Sequence, residues 1–165
     1  MEPTIEQNEL RDVIYLRGSI EYALLDARPG PTQGQIVQEG RRDNIVVTQG
    51  RAWILNRIGS TDANVIDRIY LGTGTAAPAT GNTQLANSFS SRSAGTVSAA
   101  GTTANPPYFQ FSASWASNET HASSSVINEF GLFAANATMV GRLTTSATIN
   151  FSSTNELKIS YSLSN

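Results

Sequence analysis

Glu129 is the residue of this sequence whose surroundings fit its chemistry least well. It lies in the segment VINEFGLF, residues 126–133, where most of its neighbours are apolar. Burying a carboxylate without a partner is costly, so we expect Glu129 to be paired. Arg142 lies on the next predicted strand, which makes a cross-strand Glu129–Arg142 ion pair the favoured interpretation. We prefer this structural pair to an acid–base role, because paired catalytic carboxylates need a second acid nearby.

The stretch GTGTAAPATG, residues 72–81, is the most motif-like part of the chain. A phosphate-binding loop needs backbone N–H groups that open a helix, and usually a lysine on the phosphates. No lysine follows this stretch, and Pro78 removes one backbone donor. We therefore predict a structural loop here and no nucleotide site.

Metal and nucleophile chemistry have little support in the residue types present. The oxygen donors Asp62, Asn64 and Asp67 are close in sequence, but they lack the spacing and distal glutamate of a calcium loop. His121 is the single histidine, and the chain has no cysteine. Zinc sites usually need several such ligands, and a general base needs an oriented partner. We expect no catalytic residue, no metal and no cofactor.

The elements that position these residues are predicted to be mainly strands. Apolar and polar side chains alternate cleanly over residues 108–115 and 157–163, as they do in half-buried strands. Further strands are predicted at 126–133 and 139–151. Many Ser, Thr, Ala and Gly residues separate these short alternations, which favours an antiparallel β-sandwich or jelly-roll-like domain.

One short helix is predicted at about residues 48–58. Thr48 is the expected N-cap and Gly59 the expected end of the helix. Ile54, Leu55 and Ile58 are expected to share one face at i, i+1, i+4 spacing.

Charge is low and unevenly distributed along the 165 residues. Charged residues make up 15% of the chain, the formal net charge is −2, and residues 69–165 contain only three acids and three bases. Such a small field does not attract a protein to nucleic acid or to an anionic membrane, and no apolar run reaches the length of a membrane span. We divide the chain into an N-terminal arm and strand region, residues 1–43, and a β-sandwich domain, residues 44–165.

The mixed charges of the N-terminal region suit an extended arm that docks on a partner with complementary charges. The candidate partner-binding residues of this arm are Glu6, Glu9, Arg11, Arg17, Arg28, Arg41 and Arg42. Deleting residues 1–30 is expected to leave a folded domain that has lost its partner. A solvated face with no partner is the alternative interpretation. Separately, Tyr108, Phe109 and Trp115 are considered as an aromatic platform for a sugar, although aromatic residues at period two more often belong to a core.

The order of several short motifs resembles a group of tailed-bacteriophage virion proteins that includes capsid decoration (cement) proteins and tail components. The matching stretches are NIVVTQGR (44–51), IYLGTGTAAP (69–78), GNTQL (81–85), INEFGLF (127–133), MVGRL (139–143) and LKISY (157–161). The resemblance implies a phage structural protein without enzymatic activity, cofactor or small-molecule substrate.

A capsid decoration protein is the favoured function. It would bind the outer capsid surface of the virion after assembly in the host cytoplasm, as a homotrimer that bridges major capsid proteins and stabilises the shell. A tail component, such as a fibre, baseplate or adaptor piece, is the alternative. A carbohydrate-binding module using Trp115 and Tyr108 is a third interpretation.

Overall fold

The structure of the chain is a computed structural model that describes residues 16–59, 63–93, 95–98, 108–117 and 125–164. These residues form nine strands and one helix. In chain order they are β1 (Arg17–Asp26), β2 (Ile36–Val46), α1 (Thr48–Ile58), β3 (Ile66–Gly72), β4 (Ser88–Ser93), β5 (Gly95–Ser98), β6 (Tyr108–Trp115), β7 (Ser125–Ala134), β8 (Met139–Phe151) and β9 (Asn155–Ser164). The prediction of a mainly β, antiparallel fold with one short helix at 48–58 is confirmed.

The strands form one strongly curled antiparallel sheet, open like a half-barrel, in the order β4-β3-β7-β8-β2-β1-β9-β6-β5. β2 joins the two halves of the sheet, since it lies between β8 and β1. This strand pairs with β1 from Gly18 opposite Asn44 to Leu25 opposite Ile36, but it pairs with β8 only at Ile45 and Val46. The curl also brings β4 and β6 into contact, although they lie near opposite ends of the strand order.

The apolar core fills the concave side of this sheet. In β9, Leu157, Ile159, Tyr161 and Leu163 are buried while Lys158 is exposed, as the alternation predicted. The same inner face of β6 buries Phe111 and Trp115. Residues from both halves of the sheet join one cluster, for example Ile20, Leu24, Ile69, Phe130, Val140 and Ile149. Burial in this cluster removes these apolar side chains from water, and β7 and β8 also contribute Phe133 and Met139 to a second, smaller cluster.

The helix bounds were predicted, but its cap and its buried face were not. Val47 is the N-cap and no side chain caps the helix, so the assignment of Thr48 was wrong. Gly59 does end the helix, and its N–H donates to the carbonyl of Leu55. The buried residues are Gly50 and Trp53, because a glycine lets the helix lie directly on the backbone of β8.

Two of the three apolar residues expected to share a face of α1 are exposed. Leu55 is 60% exposed and Ile58 is 68% exposed, whereas Ile54 is partly buried against the core. Of these three residues, only Ile54 therefore packs against the core. The contact with β8, rather than side-chain hydropathy, determines which side of this short helix is buried.

Much of the region predicted as an arm is part of the sheet. β1 lies between β2 and β9 and places Ile20, Tyr22 and Leu24 in the core. Deleting residues 1–30 would remove this strand and its core residues, so we now expect that deletion to disrupt the fold. An arm separate from the sheet is restricted to the residues before β1, and residues 1–15 lie outside the described part of the chain.

Candidate functional site

Glu129 lies in the middle of β7, with a strand on each side. The residue opposite it on β3 is Gly72, and the residue opposite it on β8 is Thr144. The Glu129 side chain is completely buried and that of Arg142 is 3% exposed. Two oppositely charged side chains are therefore enclosed within a mostly apolar sheet.

The ion pair predicted from the sequence is present in the structure. Arg142 donates from Nη2 to Glu129 Oε2 at 2.7 Å and from Nε to the same oxygen at 3.0 Å. Arg142 on β8 lies opposite Gly131 on β7. It is two residues before Thr144, the β8 residue that faces Glu129. The pair is thus diagonal across the two strands, within the reach of long side chains.

Backbone N–H groups of the loop between β3 and β4 complete the shell of the carboxylate. Gly74 and Asn87 donate to Oε1 at 3.0 and 2.9 Å, and Ala86 donates to Oε2 at 3.2 Å. With the two bonds from Arg142, the carboxylate accepts five hydrogen bonds. Both of its oxygens therefore hold the loop.

Arg142 holds the other side of the same loop. It donates from Nη2 to the carbonyl of Ala76 at 3.2 Å and from Nη1 to Oδ1 of Asn82 at 2.9 Å. The same Asn82 oxygen accepts the N–H of Ala79 at 2.7 Å. The loop residues 73–87 are thus folded around a buried charge pair, and we call this arrangement the loop clamp.

The loop clamp also fixes the start of the helix. Thr48 donates its N–H to the carbonyl of Thr80 at 2.8 Å, and Gln49 Nε2 donates to the carbonyl of Thr83 at 3.1 Å. Since α1 has no side-chain cap, the Thr80 carbonyl takes up one of its unpaired N–H groups. Glu129, the loop and α1 therefore form one connected unit.

Two glycines make room for the carboxylate. A Cβ on Gly74 would lie 2.5 Å from Glu129 Oε1, and a Cβ on Gly72 would lie 2.6 Å from it. Gly81, farther along the loop, faces open space. The glycines of this motif-like stretch thus serve different purposes, and those nearest β3 allow the close approach of Glu129.

The electrostatics favour an ionised Glu129. Burial by itself raises the pKa of this carboxyl, but the hydrogen bonds from Asn87, Arg142 and Ala86 and the Arg142 charge outweigh it and hold the pKa below its ordinary value. Each oxygen is already occupied by donors from the loop or from Arg142. The arrangement is suited to holding backbone in place and offers no open position for a proton to be taken from a substrate.

A second buried carboxylate forms a smaller clamp after β1. Asp26 is 4% exposed and accepts Arg28 Nε and the Arg28 N–H at Oδ1, both at 2.9 Å, and Arg28 Nη2 at Oδ2 at 2.6 Å. These bonds, led by the Arg28 side chain, hold the pKa of Asp26 far below its usual range. This role of Arg28 was not predicted from the sequence. An Asp-x-Arg followed by Pro-Gly was the available signal.

The remaining arm candidates are exposed or lie outside the described residues. Arg17 is exposed, Arg41 pairs with Glu21 at 3.3 Å on the outer face of the sheet, and Arg42 donates to Ser146 Oγ. Glu6, Glu9 and Arg11 lie outside the described part of the chain. Of the described candidates, Arg17 and Arg41 line the same cleft at the start of β1.

The aromatic platform is not formed. Trp115 is 1% exposed and belongs to the core, while Phe109 on the same face is 53% exposed at the end of the strand. A buried indole cannot stack on a sugar, so the interpretation of Trp115 as a binding residue was wrong.

The described candidate metal ligands do not form a metal-binding cluster. Asp67 lies within 3.7 Å of Arg68, and no group of three or more His, Cys, Asp or Glu residues that could hold a metal occurs in the described residues. Asp62 and His121 lie outside them.

The fold and the loop clamp define a small, mainly β protein whose buried charges position its own backbone. Neither a family model, nor a curated protein, nor a solved structure matches the chain. Within the described residues, no helix is long and apolar enough to cross a membrane.

Proposed function

We propose that this chain is a structural protein of a tailed-phage virion, of the capsid decoration (cement) type. It would bind the outer capsid surface, bridge major capsid proteins and stabilise the shell, without catalytic residues or a cofactor. The observation that carries this proposal is the loop clamp. The most deeply buried charges among the described residues, Glu129 and Arg142, are used to hold a surface loop, as expected of a protein whose function depends on the shape of its surface.

The motif order supports the phage assignment, and four of the six matching stretches contribute residues to the loop clamp. The stretches IYLGTGTAAP, GNTQL, INEFGLF and MVGRL contain Gly74, Ala76, Asn82, Glu129 and Arg142, which all belong to the loop clamp. A resemblance concentrated in one structural unit is stronger support than the same number of scattered matches. We also propose that the two halves of the curled sheet act as the two layers of a sandwich or jelly-roll-like domain.

Self-association is part of the proposal, with a homotrimer as the expected form. Leu55 and Ile58 are three residues apart on α1, so they lie on one face of the helix, and both are mostly exposed. Apolar side chains exposed together in this way are typical of contacts between copies of a protein. We assign a second copy of the chain as the partner of this face.

Sedimentation of helix variants tests this assignment. The double variant Leu55→Lys, Ile58→Lys should be a monomer under conditions where the wild type is an oligomer. The melting temperature of the monomer should not change. Val37→Lys is the matched control, because Val37 is also exposed, at 58%, but lies on β2. A monomeric wild-type chain at micromolar concentration would contradict the proposed self-association.

Copy number per particle tests the capsid assignment directly. A decoration protein should be present in hundreds of copies per virion and should bind empty capsids, and particles lacking it should break at lower heat or osmotic stress. Many weak contacts repeated over a shell would give this effect through multivalency. A few copies per particle would contradict decoration and would favour the tail component instead.

A further inference from the structure

The connection between β1 and β2 is the longest continuously exposed stretch among the described residues. Residues 28–37 are all exposed, ten in succession. They include two large apolar side chains, Ile36 at 56% and Val37 at 58% exposure. Pro29 and Pro31 add further apolar surface beside them. We call residues 26–37 the hairpin tip. Apolar side chains exposed together are typical of a surface that contacts another molecule.

A β-bulge accompanies the exposure of both apolar residues. Leu24 lies opposite Gln38 and Leu25 lies opposite Ile36, so Val37 is an extra residue of β2 with no counterpart on β1. Neighbouring side chains of a regular strand point to opposite faces of the sheet. A bulge interrupts that alternation and redirects a side chain. The interruption here falls on two neighbouring β-branched residues that both remain at the surface.

The hairpin tip is exposed but is held by hydrogen bonds of its own backbone. The N–H of Asp26 donates to the carbonyl of Gln35 at 2.9 Å, and the N–H of Gly34 donates to the carbonyl of Asp26 at 2.7 Å. Farther out, the N–H of Gln33 donates to the carbonyl of Gly30 at 3.1 Å. The Asp26 carboxylate, which is buried, binds Arg28 as described above. A loop that is already ordered loses little conformational entropy when it binds a partner.

The charges of the hairpin tip cancel each other. Asp26 and Arg28 are its only charged residues, and Arg28 Nη2 lies 2.6 Å from Asp26 Oδ2. The tip therefore suits an uncharged, apolar cleft. Two clefts of the chain itself, of about 900 and 570 Å³, each have four charged side chains in their lining. Burying charges under apolar side chains is costly, so these clefts of a second copy suit the tip poorly. A different protein is the better partner.

We propose that the hairpin tip is the element that contacts the capsid partner and that it inserts into an uncharged, apolar cleft of that protein. This inference rests on the proposed capsid function and specifies the surface that performs it. Ile36 and Val37 supply the apolar contact, and the bonds around Asp26 fix the shape of the tip before binding. The contact is separate from the α1 face that we assign to a second copy.

Binding to empty capsids of the phage that encodes the chain tests the apolar contact. Ile36→Lys with Val37→Lys should bind at least about tenfold more weakly than the wild type, because a charge is costly to bury in an apolar cleft. Both side chains are exposed, so the melting temperature should not change. Val65→Lys is the matched control and should bind as the wild type does. Val65 is 52% exposed, but it lies beside Ala135 of the turn between β7 and β8.

The outcomes separate this inference from the proposed function. If the wild type binds capsids and the Ile36, Val37 variant binds equally well, the hairpin tip is not the contact and the capsid function still stands. If the wild type itself does not bind, the proposed function is contradicted and this inference with it.

A glycine variant tests whether the shape of the hairpin tip matters. Gly30 has a φ of 140°, which residues with a side chain rarely adopt, although a Cβ there would meet nothing within 4 Å. Gly30→Ala should therefore distort the tip without disturbing the core, and should weaken capsid binding severalfold while Ile36 and Val37 are intact. Gly81→Ala is the control, because a Cβ there also meets nothing within 4 Å. Equal affinities of the two variants would overturn the role of the ordered tip.

Salt distinguishes an apolar contact from docking by complementary charges. Capsid affinity should change by less than about threefold up to about 1 M sodium chloride, where the screening length falls to about 3 Å. A much larger loss of affinity would show that charged side chains, rather than Ile36 and Val37, attach the chain.

Discussion

Arg142 donates two hydrogen bonds to one oxygen of Glu129, at 2.7 and 3.0 Å, although the residue opposite Glu129 on β8 is Thr144. The diagonal placement leaves the other carboxylate oxygen and the other guanidinium nitrogen for the loop. In a directly opposed pair, each side chain could use its hydrogen-bonding groups entirely on the other. Here each partner also binds backbone from residues 73–87, so the pair connects two strands and a loop.

Removing either partner of this pair should destabilise the fold strongly. Glu129→Gln and Arg142→Gln each leave one buried charge without its counter-charge, which costs about 3–5 kcal/mol. The double variant should cost clearly less than the sum of the two, because it leaves neither charge behind. Chemical denaturation of the four proteins measures both quantities. Glu156→Gln is the control, since Glu156 is 37% exposed beside Lys158 and should contribute less than about 1 kcal/mol. Additive effects would show that the pair is not energetically coupled.

Protonation of Glu129 at low pH should weaken the loop clamp. The folded pKa of Glu129 is below its unfolded value of about 4.3, so its contribution to stability is complete above that pH. The contribution is lost as the pH falls through the lower, folded pKa. Urea midpoints from pH 7 to pH 2 should decline below about pH 4.3 in the wild type, and less steeply in Glu129→Gln. Asp26→Asn is the comparison, because it removes the other carboxyl with a lowered pKa and should leave the Glu129 part of the decline in place. Identical slopes in the wild type and Glu129→Gln would contradict the assignment.

The two ends of the 72–81 stretch should respond differently to the same substitution. Gly74→Ala places a Cβ against Glu129 Oε1 and should destabilise the protein by about 1–3 kcal/mol, the usual cost of overpacking. Gly81→Ala meets nothing within 4 Å and should be tolerated. Thermal melting of both variants checks this. Equal losses would indicate that general loop flexibility, rather than the space beside Glu129, explains the glycines.

Trp115 should prove to be a stability residue. Trp115→Ala removes a buried indole from the core and should cost about 3–5 kcal/mol. Phe109→Ala, on the same strand and face but 53% exposed, should cost much less. Denaturation curves of the two variants distinguish the two positions. A folded Trp115→Ala protein of unchanged stability would contradict the burial of this side chain.

Two truncations should distinguish the contribution of residues 1–15 to stability from that of β1. Deletion of residues 1–15 removes no described core residue and should preserve the circular dichroism spectrum of the sheet. Deletion of residues 1–30 removes Ile20, Tyr22 and Leu24 together with all the pairing of β9 to β1, and should yield unfolded or aggregated protein. Soluble, cooperatively melting protein from the longer deletion would show that β1 is dispensable.

Much of the secondary structure was predictable because its signals are local. The alternation in 108–115 and 157–163 predicted β6 and β9 closely, and the helix at 48–58 was predicted with its end at Gly59. The Glu129–Arg142 pair was also predictable. A carboxylate in an apolar strand needs a cation, and residues 69–165 offer only Arg92, Arg142 and Lys158.

The rest depended on contacts between distant parts of the chain. Arg142 meets Ala76 and Asn82 across 66 and 60 residues, and Glu129 meets Gly74 across 55, so the sequence did not indicate that the pair would hold this loop. Leu55 and Ile58 lie on a predicted apolar face of α1 but are exposed, because Gly50 lets a different side of the helix lie on β8. Periodicity reports only that a side chain has an apolar or a polar preference. Which strand, loop or helix meets that side chain is decided by the curl of the whole sheet, and the curl is a property of all nine strands together.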